Sequence, residues 1–479
     1  MSMRLRSLWL RLPLAIAALL WLNASECFFG GRQLFTGFGS STPQTTVAPI
    51  TGFGSVWVGG TEFTTTSGTL TVDDAAATEL ALRPGQVAAA TGTLASGSTS
   101  GTSSTFAVSD QLIGPVSATD PATGTFTVLG ATVQVTGDTS VGLGIVPADV
   151  AGLTVGQAVA VNGYRTSTGM IAARLDPVVA GQVPRVAGPV SNLDGFALSF
   201  TIGATTIDYS QVSGGLPATV RDGSYVVASG GTVTNATTLR AAQVTVEAET
   251  PGGASGASAL VHGAITRFGS STDFDVGGQT VSTSASTTFN GGTATDLLAD
   301  REVEVSGQFD GSGTVAAAVV NIVPAASFRV VGPVAALNAT GSTLVIAGIT
   351  LSTDDRTVWD DLSAPALHVF AFPSLSTGDW VEVRGIAGSG TNATAHVLER
   401  RTQPSPAFVE LQAVPSSLAN PALTLVGVSV DTSSARFYDA TGQALTRTSF
   451  FAQAGGQVVR VVGSFIGATL TAETVALRP

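Results

Sequence analysis

An all-β fold, made of about six tandem five-stranded antiparallel barrel-like units behind a signal peptide, is what the sequence predicts. Three observations carry that expectation. The 479 residues include 57 glycines, 44% are hydrophobic and only 11% are charged. Val, Thr, Ala, Ser and Gly dominate, a mixture of β-branched residues and turn formers that suits short strands joined by tight turns. The apolar share opposes disorder over most of the length. The second observation is an internal repeat, and the third is a hairpin signature that keeps step with it.

The repeat reads Gly, six residues with alternate apolar positions, then Gly. It occurs as Gly85–Gly92, Gly156–Gly163, Gly223–Gly230, Asp300–Gly307, Gly378–Gly385 and Gly456–Gly463, with Asp300 alone breaking the leading glycine. Copies stand roughly 65–80 residues apart, room for one small domain each. Each unit opens on a short apolar strand, as at Gly114-Pro-Val, Gly188-Pro-Val, Gly263-Ala-Ile and Gly332-Pro-Val. A hairpin follows, for example Val56–Phe63, Phe200–Ile207, Phe274–Val281, Leu344–Leu351 and Leu423–Val430, with glycine at the turn to supply positive φ. An Ala-rich alternating stretch such as Val315–Ile322 closes the unit. Five such strands bury one face most economically by closing into a barrel, which removes exposed edges. The expected units are 50–110, 111–179, 185–249, 259–324, 328–402 and 407–479, after a flexible lead at 27–49. Linkers such as Glu249–Ser258 and Pro404–Pro406 predict beads with some freedom between them.

The opening Gly-x-Val, the hairpin and the Leu-x-x-Gly-Asp-x-Val-x-Val-x-Gly run resemble a bacterial exported domain of unknown function, family 5666. The likeness spans most of 50–479, and it is clearest at Leu297–Gly307 and Leu375–Gly385. It implies OB-like barrels in tandem behind an export signal, and it brings no catalytic residues with it.

The first residues set the expected address. Arg4, Arg6 and Arg11 precede an apolar run, Leu14–Leu22, and small or polar residues follow. That is the layout of a secretory signal peptide over 1–26. Cys27, the one cysteine, stands where a bacterial lipoprotein is acylated, although Glu26 before it departs from the small residue usual there. Lipid attachment at Cys27 and a bystander thiol both remain open. The expected location is the periplasm, the outer membrane as a lipoprotein, or the cell surface, with no transmembrane span. A net charge of −12, without lysine and with scattered arginines, argues against nucleic acid as a partner.

The search for chemistry returns little, and no catalytic site, metal site or cofactor is expected. His262 and His396 lie in different units, so a metal site would have to be built across units. Gly97–Gly101 is a low-complexity loop and no nucleophile elbow. Glu302 and Glu304 share one strand face, which reads as a solvated face. The acidic doublets Asp73-Asp74, Asp354-Asp355 and Asp360-Asp361 read as polar turns without EF-hand spacing. Aromatics gather at Trp359, Phe370, Phe372 and Trp380, with His368 among them. Exposed, Trp359, His368 and Trp380 form a candidate ligand-binding platform. The competing reading folds 360–373 over the barrel end and buries the rings. The leading functional expectation is a non-catalytic cell-envelope binding or scaffold protein whose partner is an envelope protein or polysaccharide. The alternative is a carbohydrate-binding array using those aromatics.

Overall fold

The computed structural model describes residues 42–95 and 97–478. Residues 1–26, expected as a signal peptide, Cys27 and the start of the expected lead lie outside the described residues. Strands make up 53% of the chain, and the one α-helix among the described residues is Arg447–Gln453.

The two motif glycines have separate physical jobs. The leading one turns the chain into the strand through the left-handed region, at φ +83° for Gly85, +90° for Gly156 and +95° for Gly378. Asp300 adopts the same conformation at φ +65°. A short polar side chain tolerates it, and its carboxylate accepts the Ser167 N–H and hydroxyl, both at 2.6 Å, from another segment. In every copy but the third, where Gly230 is at no slip, the closing glycine sits where the strand slips by one residue against its partner, as between Ser306 and Gly307 and between Arg384 and Gly385. There a β-carbon would stand 2.1 Å from the Ala316 carbonyl oxygen at Gly307 and 1.9 Å from that of Thr394 at Gly385. Only glycine fits that slip.

Segment 258–322 shows the ring that results. Ser258–Ser270 pairs with Asp273–Val276, which hairpins into Gln279–Ser282. That strand runs parallel to Val315–Ile322, which pairs with Glu302–Phe309, and the latter returns to Ser258–Ser270. Five strands thus close a small barrel, with the short Thr288–Asn290 added parallel to the last strand. Val261, Ile265, Phe274, Val281, Val303 and Val320 point inward and are fully buried. Segments 42–108, 112–177 and 328–400 follow the same circuit. The expectation of wholly antiparallel pairing is corrected: the third strand meets the last in parallel. The chain crosses the barrel end between them, and period-2 alternation is the same in either direction.

The expectation of loosely tethered beads is corrected as well. Each opening strand outruns its hairpin partner, so its first half keeps a free edge, and these edges pair with one another. Thr42–Gly52 runs parallel to Ser258–Ser270, with Gln44 opposite Ser258 and Val47 opposite Val261. Leu112–Asp120 joins Arg185–Asp194, and Phe328–Asn338 joins Val409–Ala413. One continuous apolar cluster runs from Leu112 to Val244 and another from Phe328 to Leu477. Residues 42–49, expected as flexible lead, are therefore strand. The linker 249–258 is also tied down: Glu249 pairs with Arg165 at 2.7 Å, and the Thr250 hydroxyl donates to the Gly277 carbonyl at 2.7 Å.

Candidate functional site

Alternation that sends valines into the barrel sends their neighbours out. On segment 258–322 the outward row is His262, Glu304 and Asn321, directly opposite one another on three adjacent strands, with Glu302 one pleat along. This row faces other segments and not water. Glu304 is 1% exposed, accepts from Asn321 Nδ2 at 3.0 Å, and receives the Arg356 guanidinium of segment 328–400 at 2.5 and 3.2 Å. The reading of Glu302 and Glu304 as a solvated face is thereby corrected, because neighbouring segments cover it.

A cavity of about 230 Å³ opens where four segments meet. Segment 112–177 contributes Tyr164 and Asp138; 258–322 contributes His262, Glu302 and Glu304; 328–400 contributes Asp354, Arg356 and His396; 42–108 adds Pro49 and Gly85. His262 Nε2 lies 2.7 Å from Glu302 Oε1, and its Nδ1 is 4.0 Å from Glu304 Oε2. The Tyr164 ring stacks on this imidazole with centroids 5.4 Å apart and planes 10° off parallel. His396 Nδ1 lies 2.7 Å from Asp138 Oδ1, while Asp138 Oδ2 accepts the Ala326 N–H at 2.9 Å.

Burial opposes charge on His262. The Glu302 hydrogen bond and the charges of Glu302 and Glu304 outweigh it and hold the imidazole above its ordinary range. His396 is raised in the same way, against burial, by its hydrogen bond to Asp138 and by that charge. Burial first, then Glu302, Glu304 and Asp138, push the Tyr164 phenol well upward, so it stays protonated. Tyr164 is 7% exposed and its hydroxyl meets no hydrogen-bond partner in the protein. Such a group costs about 1–3 kcal/mol.

The aromatic platform is not what the structure presents. Trp359 is 3% exposed and packs edge-on against Phe370 and Phe372, with centroids 6.0 and 6.2 Å away. Trp380 is 6% exposed at the start of Trp380–Ala387. Neither indole offers a face to a sugar, since both are buried, Trp359 under Phe370 and Phe372. His368 is half-buried and stacks on Phe53 of segment 42–108, with centroids 4.1 Å apart. Two of the three acidic doublets are held by arginines: Asp74 pairs with Arg185 at 2.7 Å, Asp360 with Arg174 at 3.0 Å, and Asp361 with Arg400. Among the described residues no group of three or more His, Cys, Asp or Glu is arranged to hold a metal ion. Cys27 lies outside the described residues. What the sequence did not reveal is the meeting of His262 with His396 across segments, and with it Tyr164, Asp138 and Arg356. No local motif marks these residues; long-range strand pairing brings them together.

Closed five-strand rings joined through their opening strands, with a cavity between barrels, define a tandem small-barrel β protein. Three stretches, residues 113–175, 262–321 and 331–398, match the family described as Domain of unknown function (DUF5666), and over them the chain carries tandem domains of that family. Each of the three contributes side chains to the cavity. The two runs where the likeness is clearest, Leu297–Gly307 and Leu375–Gly385, lie inside them. No curated protein matches the chain.

Proposed function

We propose that this is an exported, non-catalytic binding scaffold of the cell envelope, built from six OB-like barrels held in fixed relative positions. The observation that supports it is the joining of barrels through main-chain strand pairing, including the pairing of 42–52 with 258–270 across two intervening segments. Such joins present several barrel surfaces as one rigid array, which suits a protein that organises partners. Side-chain bonds between segments reinforce them: Arg174 donates to the Pro84 carbonyl at 2.7 Å and to Asp360 at 3.0 Å, and Arg384 donates to the Thr139 carbonyl. The layout of residues 1–26 supports export, and Cys27 is the candidate lipid attachment. The partner is an envelope protein or a polysaccharide.

The test is crosslinking in intact cells, followed by purification and joint identification of attached proteins and glycans. A recurrent envelope protein is the expected result. A polysaccharide alone would transfer the reading to carbohydrate binding, and recovery of the uncrosslinked chain from the cytoplasm would overturn it.

A further inference from the structure

The cavity among the four segments has a composition that selects a ligand. Three of its carboxylates are matched by cations: Glu302 by His262, Glu304 by Arg356 and Asp138 by His396. Asp354 is a fourth, and through Oδ1 it accepts only the Arg356 and Thr357 N–H groups, at 2.9 and 3.1 Å, and the Thr357 hydroxyl at 3.4 Å. With both imidazoles protonated the lining holds three cations against four carboxylates, one positive charge short. Tyr164, more than nine-tenths buried, lines the same space, and its hydroxyl has no hydrogen-bond partner in the protein. Carboxylates therefore outnumber cations in the lining. Ile171, Ile322, Val358 and Val397 line the remainder with apolar surface.

We infer that the cavity is a binding site for a small organic cation, a primary ammonium on a short aliphatic body. An ammonium carries three donors and no acceptor, which suits a lining where carboxylates such as Glu302 and Asp354 outnumber the cations. Its single charge neutralises the lining. Its methylenes meet the Ile and Val side chains, and the cavity volume, nearly eight times the ~30 Å³ a water occupies in the liquid, holds such a molecule with room to spare. An anion would face four carboxylates, and a neutral alcohol would leave the charge unbalanced.

The test uses the purified full-length protein without any envelope partner, so failure here leaves the scaffold reading untouched. Saturable binding is measured by ligand-observed NMR near neutral pH for n-butylamine, n-butanol, butyrate and glucose. The amine is expected to bind at least about tenfold more tightly than the other three, a difference of about 1.4 kcal/mol. Tyr164→Phe and Asp354→Asn are each expected to weaken amine binding by about tenfold. Tyr164→Phe should leave the melting temperature unchanged or higher, since its hydroxyl bonds to nothing. Asp354→Asn keeps a carbonyl oxygen for the two N–H groups and serves as the second variant should the first not fold. Preference for butanol, butyrate or glucose overturns the assignment, as does unaltered amine binding in both variants or no saturable binding at all.

Discussion

At the scale of single residues, the recurring glycines are steric necessities and not mere turn markers. The closing glycine of the motif faces a carbonyl of the neighbouring strand so closely that a methyl group cannot be placed, at 1.9 Å from Thr394 O in the case of Gly385. Neither strand can retreat, because both are tied on their other edges. Gly385→Ala is therefore expected to cost about 1–3 kcal/mol, as overpacking of a close-packed region does. Denaturant unfolding of the variant beside the parent checks this, and an unchanged midpoint would show that the slip relaxes freely. Glu304 illustrates the opposite end of the residue scale. A carboxylate on a strand face is ordinarily solvated, yet here it is 1% exposed and satisfied by Arg356 and Asn321. Removing Arg356 would take the nearest cation from that buried charge, which is costlier than losing an exposed pair.

At the scale of elements, the opening strands carry two duties, one half closing a barrel and the other half joining it to a second. Thr46 is the clearest instance: it is fully buried, opposite Ala90 on one side and Leu260 on the other. Proline there removes a donor from a strand with neighbours on both edges, so Thr46→Pro is expected to destabilise by about 3 kcal/mol or more. Thermal melting measures the loss, and limited proteolysis should begin near residues 42–52 and 258–261. What the sequence made legible lies at this scale. Glycine spacing, hairpin turns and alternation located the strands, since each depends on residues close in the chain. Parallel closure of the ring was not legible, because alternation has no direction. The joins between segments were not legible either. They depend on how far a strand outruns its hairpin partner, which is a property of the folded edge. The fate of Trp359 followed from the same limit, because its burial is decided by where Phe370 and Phe372 of the insertion 360–373 fold. The cavity residues were singled out in part: His262 and His396 as histidines of different units, Glu302 and Glu304 as one strand face, and Asp354 as part of a polar turn.

At the scale of the molecule, buried acid–base groups within and between segments should make stability depend on pH in a defined direction. His262 and His396 both have folded-state values raised above the ordinary 6.5 by their carboxylate partners acting against burial. A base raised in this way holds its proton more tightly when folded. Its contribution is complete below about pH 6.5 and fades as pH climbs through the folded value. Asp110 acts in the same sense. Burial first, then Asp73 and Asp176, push its carboxyl from 3.8 up to about 8, so the folded protein keeps a proton that the unfolded chain sheds. His368 opposes them: burial, then Arg83, lowers it, and the associated loss falls below about pH 6.5. Melting temperature should therefore decline from about pH 6.5 to about pH 9. His396→Gln should shrink that decline, because the amide can still donate to Asp138 but no longer titrates. Asp110→Asn should shrink it further, with the variant gaining on the parent by about 1 kcal/mol or more above pH 8, since a tenfold difference in proton affinity between folded and unfolded chains is worth about 1.4 kcal/mol. NMR titration of the imidazoles separates the two sources. A parent whose melting temperature is flat or rising over that interval would mean that these acid–base groups do not stabilise the fold.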